Sequence, residues 1–220
     1  MKQLEPDLWQ TSRRSIAERV HTHAYLLIRP TGNLLIYGIG DDQDDDLDQI
    51  ERLGGVSVQV LSHRDESGPS LEVIRERFGS RLACGVREVD AIRGDAEPDL
   101  TVGSDCDDPA LQGVEILETP GHTPGSISFR YRSPNGRTYL FTGDTIFPNQ
   151  DRWGTAVYPQ LESDSRALIN SLKLLRDLSA DLVISSAYVG DTGVVEMTPN
   201  EWAAIIDQRI DRLRAMLPTS

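Results

Sequence analysis

Histidine is scarce in this chain of 220 residues: the four are His21, His23, His63 and His122. A metal site therefore has few nitrogen donors to draw on. Cysteine is scarcer still, with Cys84 and Cys106 alone, which is too few for a disulfide framework. Reduced thiols in a cytoplasm are the plain expectation. Positive charge is in deficit, with 22 Lys and Arg against 35 Asp and Glu and a formal net charge of −13. Such a surface repels phosphate backbones and anionic bilayers. Arg13-Arg14 is too small a patch to offset this, so no nucleic-acid or membrane partner is expected. No apolar run approaches the roughly 20 residues a spanning helix needs, and Met1 to Ser15 have no apolar signal core. A Gly-x-Ser-x-Gly elbow and a phosphate loop ending in Gly-Lys-Ser/Thr are both missing. Gly38-Ile39-Gly40 lacks a third glycine and runs into acid, which would repel a pyrophosphate.

What is present reads as one soluble domain over 1–220, with 38% hydrophobic and 26% charged residues. HAYLLI (23–28) and NLLIY (33–37) flank Arg29-Pro30-Thr31-Gly32 and predict a hairpin. The acidic run 41–48 leads into Leu47, Ile50 and Leu53. It reads as a solvated helix start stopped by Gly54-Gly55, and the glycine spacing rules out a calcium loop. Strands are expected at 56–61, 82–86, 114–117, 127–131, 138–141 and 181–184, with an Asn-Gly turn at 135–136. Helices are expected at 69–78, 165–178 and, behind the capping box Thr198-Pro199-Asn200-Glu201, up to about Leu217. Segments 95–108 and 147–160 read as loops, the second long and ordered. Strands followed by helices in each half predict sheets covered by helices.

Three candidate metal ligands stand where apolar runs end: His63 after VQVLS, His122 within Thr119-Pro120-Gly121-His122-Thr123-Pro124-Gly125-Ser126, and Asp144 after YLFTG. Loops at strand ends hold ligands at fixed geometry. Two imidazoles and a carboxylate suit zinc or non-haem iron and leave positions open for substrate or water. Asp65 offers a further oxygen. Asp65 or Glu66 is a candidate general base. Trp153 is placed near a substrate pocket, and Arg152 is a candidate partner for a substrate carboxylate. His21 and His23 read as core or surface histidines, with His23 near enough to the site to support a ligand.

TPGHTPGS, then LFTGD, behind an N-terminal hairpin and a strand ending in Ser-His, resembles the metallo-β-lactamase superfamily over about residues 20–190. The resemblance implies an αββα four-layer sandwich, with the metal site at one edge between two sheets. It also implies hydrolysis of thioester, lactone, lactam or phosphodiester bonds. Residue by residue the pattern departs from the family. Of its His-x-His-x-Asp-His motif, His63 is kept, the second histidine becomes Asp65, and the Asp-His pair falls on Ser67-Gly68. The last family histidine should follow the strand at 181–184, where Ser185-Ser186-Ala187-Tyr188 stand, and the aspartate ending the early hairpin falls near Tyr37. At most one ion is expected. His63, His122 and Asp144 correspond to the positions that hold a single iron in the persulfide dioxygenase branch.

Three readings follow. The first is a mononuclear zinc or iron hydrolase acting on an ester, thioester, lactone or similar bond of a small molecule. The second is an iron-dependent oxygenase using the same residues. The third is a binding protein that kept the fold and lost the chemistry. A symmetric homodimer is the default assembly.

Overall fold

The computed structural model describes residues 1–40, 43–158, 160 and 162–217. The chain opens with β1 (Lys2–Glu5), β2 (Leu8–Gln10), β3 (Arg14–Ala17), β4 (Val20–Thr22), β5 (Tyr25–Leu27) and β6 (Leu34–Ile36). Helix α1 (Asp44–Arg52), β7 (Val58–Val60), α2 (Ser70–Phe78), β8 (Arg81–Gly85), α3 (Val89–Ile92) and β9 (Leu100–Val102) follow. Then come β10 (Val114–Glu118), β11 (Ile127–Arg132), β12 (Thr138–Gly143), β13 (Phe147–Asn149) and β14 (Arg152–Gly154). The chain closes with α4 (Ser165–Arg176), β15 (Leu182–Ser185), β16 (Ala187–Val189), β17 (Val194–Glu196) and α5 (Pro199–Met216).

Two sheets form the centre, one in the order β1-β2-β5-β6-β7-β8-β9 and the other β10-β11-β12-β15-β17. Strict alternation along their strands makes the layers. Tyr25, Leu27, Leu34, Ile36, Val58 and Val60 from the first sheet meet Ile116, Phe129, Tyr139, Phe141 and Ile184 from the second. The intervening residues point outward: Leu26 and Leu35 pack under α1 and α2, and Leu140 and Val183 under α4 and α5. Burying each such side chain contributes roughly 1.5–3 kcal/mol. The result is the αββα sandwich. No helix among the described residues is long and apolar enough to cross a membrane.

The helix ends follow local chemistry. The Asp164 carboxylate accepts from the amides of Arg166 and Ala167 to start α4, and Thr198 with Glu201 forms a reciprocal capping box on α5. The acidic start of α1 differs from the expectation. Asp46 is buried and accepts from the amide and hydroxyl of Ser12, at 2.6 and 3.0 Å, so it ties the N-terminal segment down. Asp41 and Asp42 lie outside the described residues.

Two expected loops contain strands. Residues 100–102 form the edge strand β9, paired in parallel with β8, and 147–154 form the β13–β14 hairpin. That hairpin joins a third sheet in the order β14-β13-β16-β4-β3, in which the β3–β4 hairpin meets β16 with His21 opposite Tyr188.

Candidate metal centre

His63, His122 and Asp144 follow β7, β10 and β12 of the two central sheets within a few residues. The junction is braced by backbone bonds: the amide of Ile127 donates to Ser62 at 2.9 Å, and that of Ser186 to Gly143 at 3.3 Å.

The loop carrying His122 is immobilised by its neighbours. Gly121 has φ 142° and lies so close to the backbone of Leu168 in α4 that a Cβ would collide with it. Its carbonyl accepts from the amide of Asp164 at 2.9 Å. Hydroxyls of Ser163 and Ser171 donate to the carbonyls of His122 and Pro120, at 2.5 and 2.7 Å. The amide of Gly125 donates to the fully buried carboxylate of Glu88 at 2.6 Å, and Glu88 also takes Arg64 Nε at 2.7 Å. Burial alone would raise the Glu88 carboxyl; the Arg64 guanidinium and the amides of Gly125 and Arg64 hold it below the usual range. One ion pair thus locks the His63 and His122 segments together.

Both imidazoles turn Nε2 inward. The Nδ1 of His122 donates to the carbonyl of Ala156 at 3.2 Å. The Nδ1 of His63 lies 2.9 Å from Ser62 Oγ and 3.2 Å from Glu66 Oε1. The two rings stand 4.7 Å apart, centre to centre. His63 Nε2 is 3.6 Å from Asp144 Oδ2, and His122 Nε2 is 3.9 Å from that oxygen and 3.2 Å from Asp65 Oδ2. Asp144 is aimed by its other oxygen, which accepts from the amide of Ala187 at 3.0 Å. Although carboxylates surround it, the buried Nε2 of His122 makes no hydrogen bond of acceptable geometry among the described residues. A buried imidazole nitrogen left in that state fits a metal ligand better than a hydrogen-bonding group. His63, Asp65 and His122 bring one donor atom each within 4.8 Å of one another.

The electrostatics agree. Burial pulls the His63 imidazole down, but the Glu66 and Asp144 carboxylates and the Glu66 hydrogen bond outweigh it and push it up to about 9. The His122 ring is the main cause holding the Asp65 carboxyl below its usual value; burial opposes it and His63 assists.

Several residues sit elsewhere than the sequence reading placed them. Both Glu66 oxygens are engaged, Oε1 by Ser62 Oγ at 2.5 Å and Oε2 by the Ser62 amide at 2.8 Å, so this carboxylate braces His63. Trp153 packs edge-on against Trp202, 5.7 Å away, under α5, and does not line the metal cavity. Arg152 is exposed and does not line it either. His23, by contrast, is the satisfied core histidine that the sequence reading expects, bonded to the carbonyl of Thr11 and to the Tyr188 hydroxyl, each at 2.8 Å. Ser67 donates to Asp95 at 2.6 Å, and Ser185 to the carbonyl of Gly193 at 3.4 Å.

Other residues carried no sequence signal. Tyr37 adopts φ 76°, a strained conformation for an aromatic residue. Its hydroxyl donates to the carbonyl of Ile184 and accepts from the amide of Gly143, each at 2.9 Å, directly below Asp144. The cavity above the site measures about 490 Å³. Ile16, Ala17 and Val20 of the β3–β4 hairpin, Phe147 of β13, Val189 of β16 and Tyr158 give it apolar walls.

The family model of the metallo-beta-lactamase superfamily matches residues 66–187. With over half of its length matched and this fold, the chain belongs to that superfamily. A hydroxyacylglutathione hydrolase of Rhizobium meliloti is 35% identical over 104 residues, 46% of this chain and 38% of that protein. A probable metallo-hydrolase of Methanocaldococcus jannaschii is 38% identical over 78 residues, 36% of this chain and 34% of that protein. The chain thus spans little more than a third of the length of these curated relatives. A metallo-beta-lactamase from Pontibacter korlensis superposes with a TM-score of 0.73 at 16% identity, covering 97% of each chain. ETHE1 from Myxococcus xanthus does so with a TM-score of 0.67 at 19% identity, covering 94% of this chain and 92% of that one. At these identities the superpositions speak for the fold alone.

Proposed function

We propose that this chain is a mononuclear metallohydrolase acting on an ester, thioester, lactone or similar bond of a small molecule. The observation that carries the reading is the buried Nε2 of His122, which makes no well-aligned hydrogen bond among the described residues yet faces His63, Asp65 and Asp144. Those four residues would hold one divalent ion, zinc or iron(II), through two imidazoles and carboxylate oxygens. A divalent ion bound there supplies polarisation of a carbonyl and a bound water with a pKa lowered towards about 7.

The chain's own groups supply the rest. Nδ1–H of His122 on Ala156, and that of His63 on Ser62 and Glu66, fix the tautomers that leave both Nε2 atoms free. Asp65 is partly exposed to the cavity, and its lowered pKa keeps it a carboxylate, so an oxygen not engaged by the ion can accept a hydrogen bond from the attacking water and orient it. Glu66 borders the cavity, but both of its oxygens are engaged by Ser62 and it acts through His63. The apolar walls receive the organic part of the substrate and keep bulk water from the reacting bond. The hydrolase names of the Rhizobium meliloti and Methanocaldococcus jannaschii relatives support hydrolysis.

The test is elemental analysis of chelator-free protein purified anaerobically, beside His122→Ala, with a panel of esters, thioesters and lactones and a record of oxygen uptake. Near-stoichiometric metal and turnover, both lost in the variant, support the reading. Iron with oxygen uptake and no hydrolysis replaces it with an oxygenase. Folded protein that stays metal-free and inert after reconstitution leaves a binding protein.

A further inference from the structure

The β13–β14 hairpin borders a second hollow besides the metal cavity. This one measures about 260 Å³ and lies between β14 and the C-terminal half of α5. Arg152, Arg209 and Arg212 converge on it, with Trp153 beside them and Asp151 as its one acidic neighbour. Counted as charges, the lining is net +2 on a chain of net −13.

These arginines differ from their neighbours. Arg176 holds Asp207 at 2.7 Å and Arg214 holds Asp211 at 3.3 Å, so the nearby carboxylates of α5 are engaged elsewhere. Arg209 and Arg212 form no ion pair among the described residues, and Arg152 has only the loose contact with Asp151 at 3.9 Å. Arg209 is half-buried: its Nη2 donates to Thr155 Oγ1 at 2.9 Å, while its Nε is buried with no acceptor among the described residues. Burial first, and then the like charge of Arg212, lower its pKa. Like charges three residues apart on a helix repel, and a guanidinium edge hidden from water without an acceptor is unfavourable. An oxyanion in the hollow offsets the repulsion between the guanidinium groups.

We infer that this hollow is a binding site for a phosphate monoester, distinct from the metal centre. A phosphate dianion matches the +2 lining, and its three terminal oxygens suit guanidinium forks arriving from β14 and from two positions on α5. The Trp153 indole in the lining suits an organic group attached to the phosphate. A carboxylate offers one charge and two oxygens and leaves one fork unused.

The test uses the full chain, metal-free so that the first cavity cannot capture the anion through a metal. Arginine Nε–Hε resonances are followed by NMR during titration with inorganic phosphate, phenyl phosphate and acetate at matched ionic strength, the Arg209 signal being assigned with Arg209→Lys. The expected result is a saturable shift of that signal with a Kd of about 1 mM or below for phenyl phosphate, and weaker binding of acetate. Arg212→Gln and Arg152→Gln, both at exposed side chains that leave the fold intact, each weaken binding about tenfold, while His122→Ala leaves it unchanged. Absence of saturation, equal binding of acetate, indifference to the two glutamine variants, or loss of binding in His122→Ala would each overturn the site.

Discussion

Glu66 Oε1 lies 3.2 Å from Nδ1 of His63, on the side of the ring opposite the Nε2 that faces Asp144. Together with Ser62 it fixes the ring's orientation and raises its basicity. Glu66→Gln is expected to keep the fold and to lower metal affinity by about 10–100-fold. Competition with a chelating dye measures this. Unchanged affinity with abolished turnover would instead make Glu66 a reacting group.

Because the His63 imidazole sits at about 9 in the metal-free protein, an ion must displace its proton to bind. Affinity is therefore expected to rise with pH, by up to about tenfold per unit, and to level off above about 9. The same shift stabilises the metal-free fold: the raised value gives a contribution fully present below about 6.5 and lost as pH rises through about 9. Dye competition across pH 6–10 tests the first statement, and denaturant midpoints of chelated protein test the second. A pH-independent affinity would show that the ring is already neutral.

Glu88 shows the opposite sign. Its depressed pKa means that its stabilisation is present above the ordinary carboxylate value of about 4.3 and is lost as pH falls through the folded value. Glu88→Gln leaves Arg64 without its buried partner, and a loss on the order of 3 kcal/mol is expected at neutral pH. Urea midpoints of both proteins should converge in acid. A constant gap down to pH 3 would refute the assignment.

Tyr37→Phe removes the acceptor of the Gly143 amide and the donor to the Ile184 carbonyl. The Ile184 carbonyl keeps Thr142 Oγ1 at 3.3 Å, and leaving the buried Gly143 amide unpaired is expected to cost about 1–3 kcal/mol, read as a fall in Tm of several degrees. The shift should persist in chelated protein. If it vanishes there, Tyr37 acts through the metal centre alone.

Legibility in the sequence followed the length and period of each segment. HAYLLI, NLLIY and YLFTG alternate between a sandwich interior and a helix-covered face, so their strands and the sandwich class could be read directly. His122 was legible because two Pro-Gly turns enclose it, and Gly121 is now seen to press on Leu168. The third sheet was not legible: its strands are three or four residues long, and β13 carries Pro148. Nothing so short shows a period. Trp153 was misplaced because loop position says nothing about which layer a side chain joins, and Trp202, its partner, lies 49 positions away. Tyr37 escaped for a related reason, since its role depends on Gly143 and Ile184, more than 100 positions away; Glu66 was legible as an acid near the site, but its partners Ser62 and His63 show in the folded loop alone.

The pairing of β4 with β16 sets His21 opposite Tyr188, joining the two ends of the chain into the cavity wall. A contact so remote in sequence carries a large loop-closure entropy, which falls only once the intervening sheets exist. The chamber over the site is accordingly expected to assemble late. A chain that lacked this pairing would carry His63 and His122 without a roof, open to any ion and selective for no substrate.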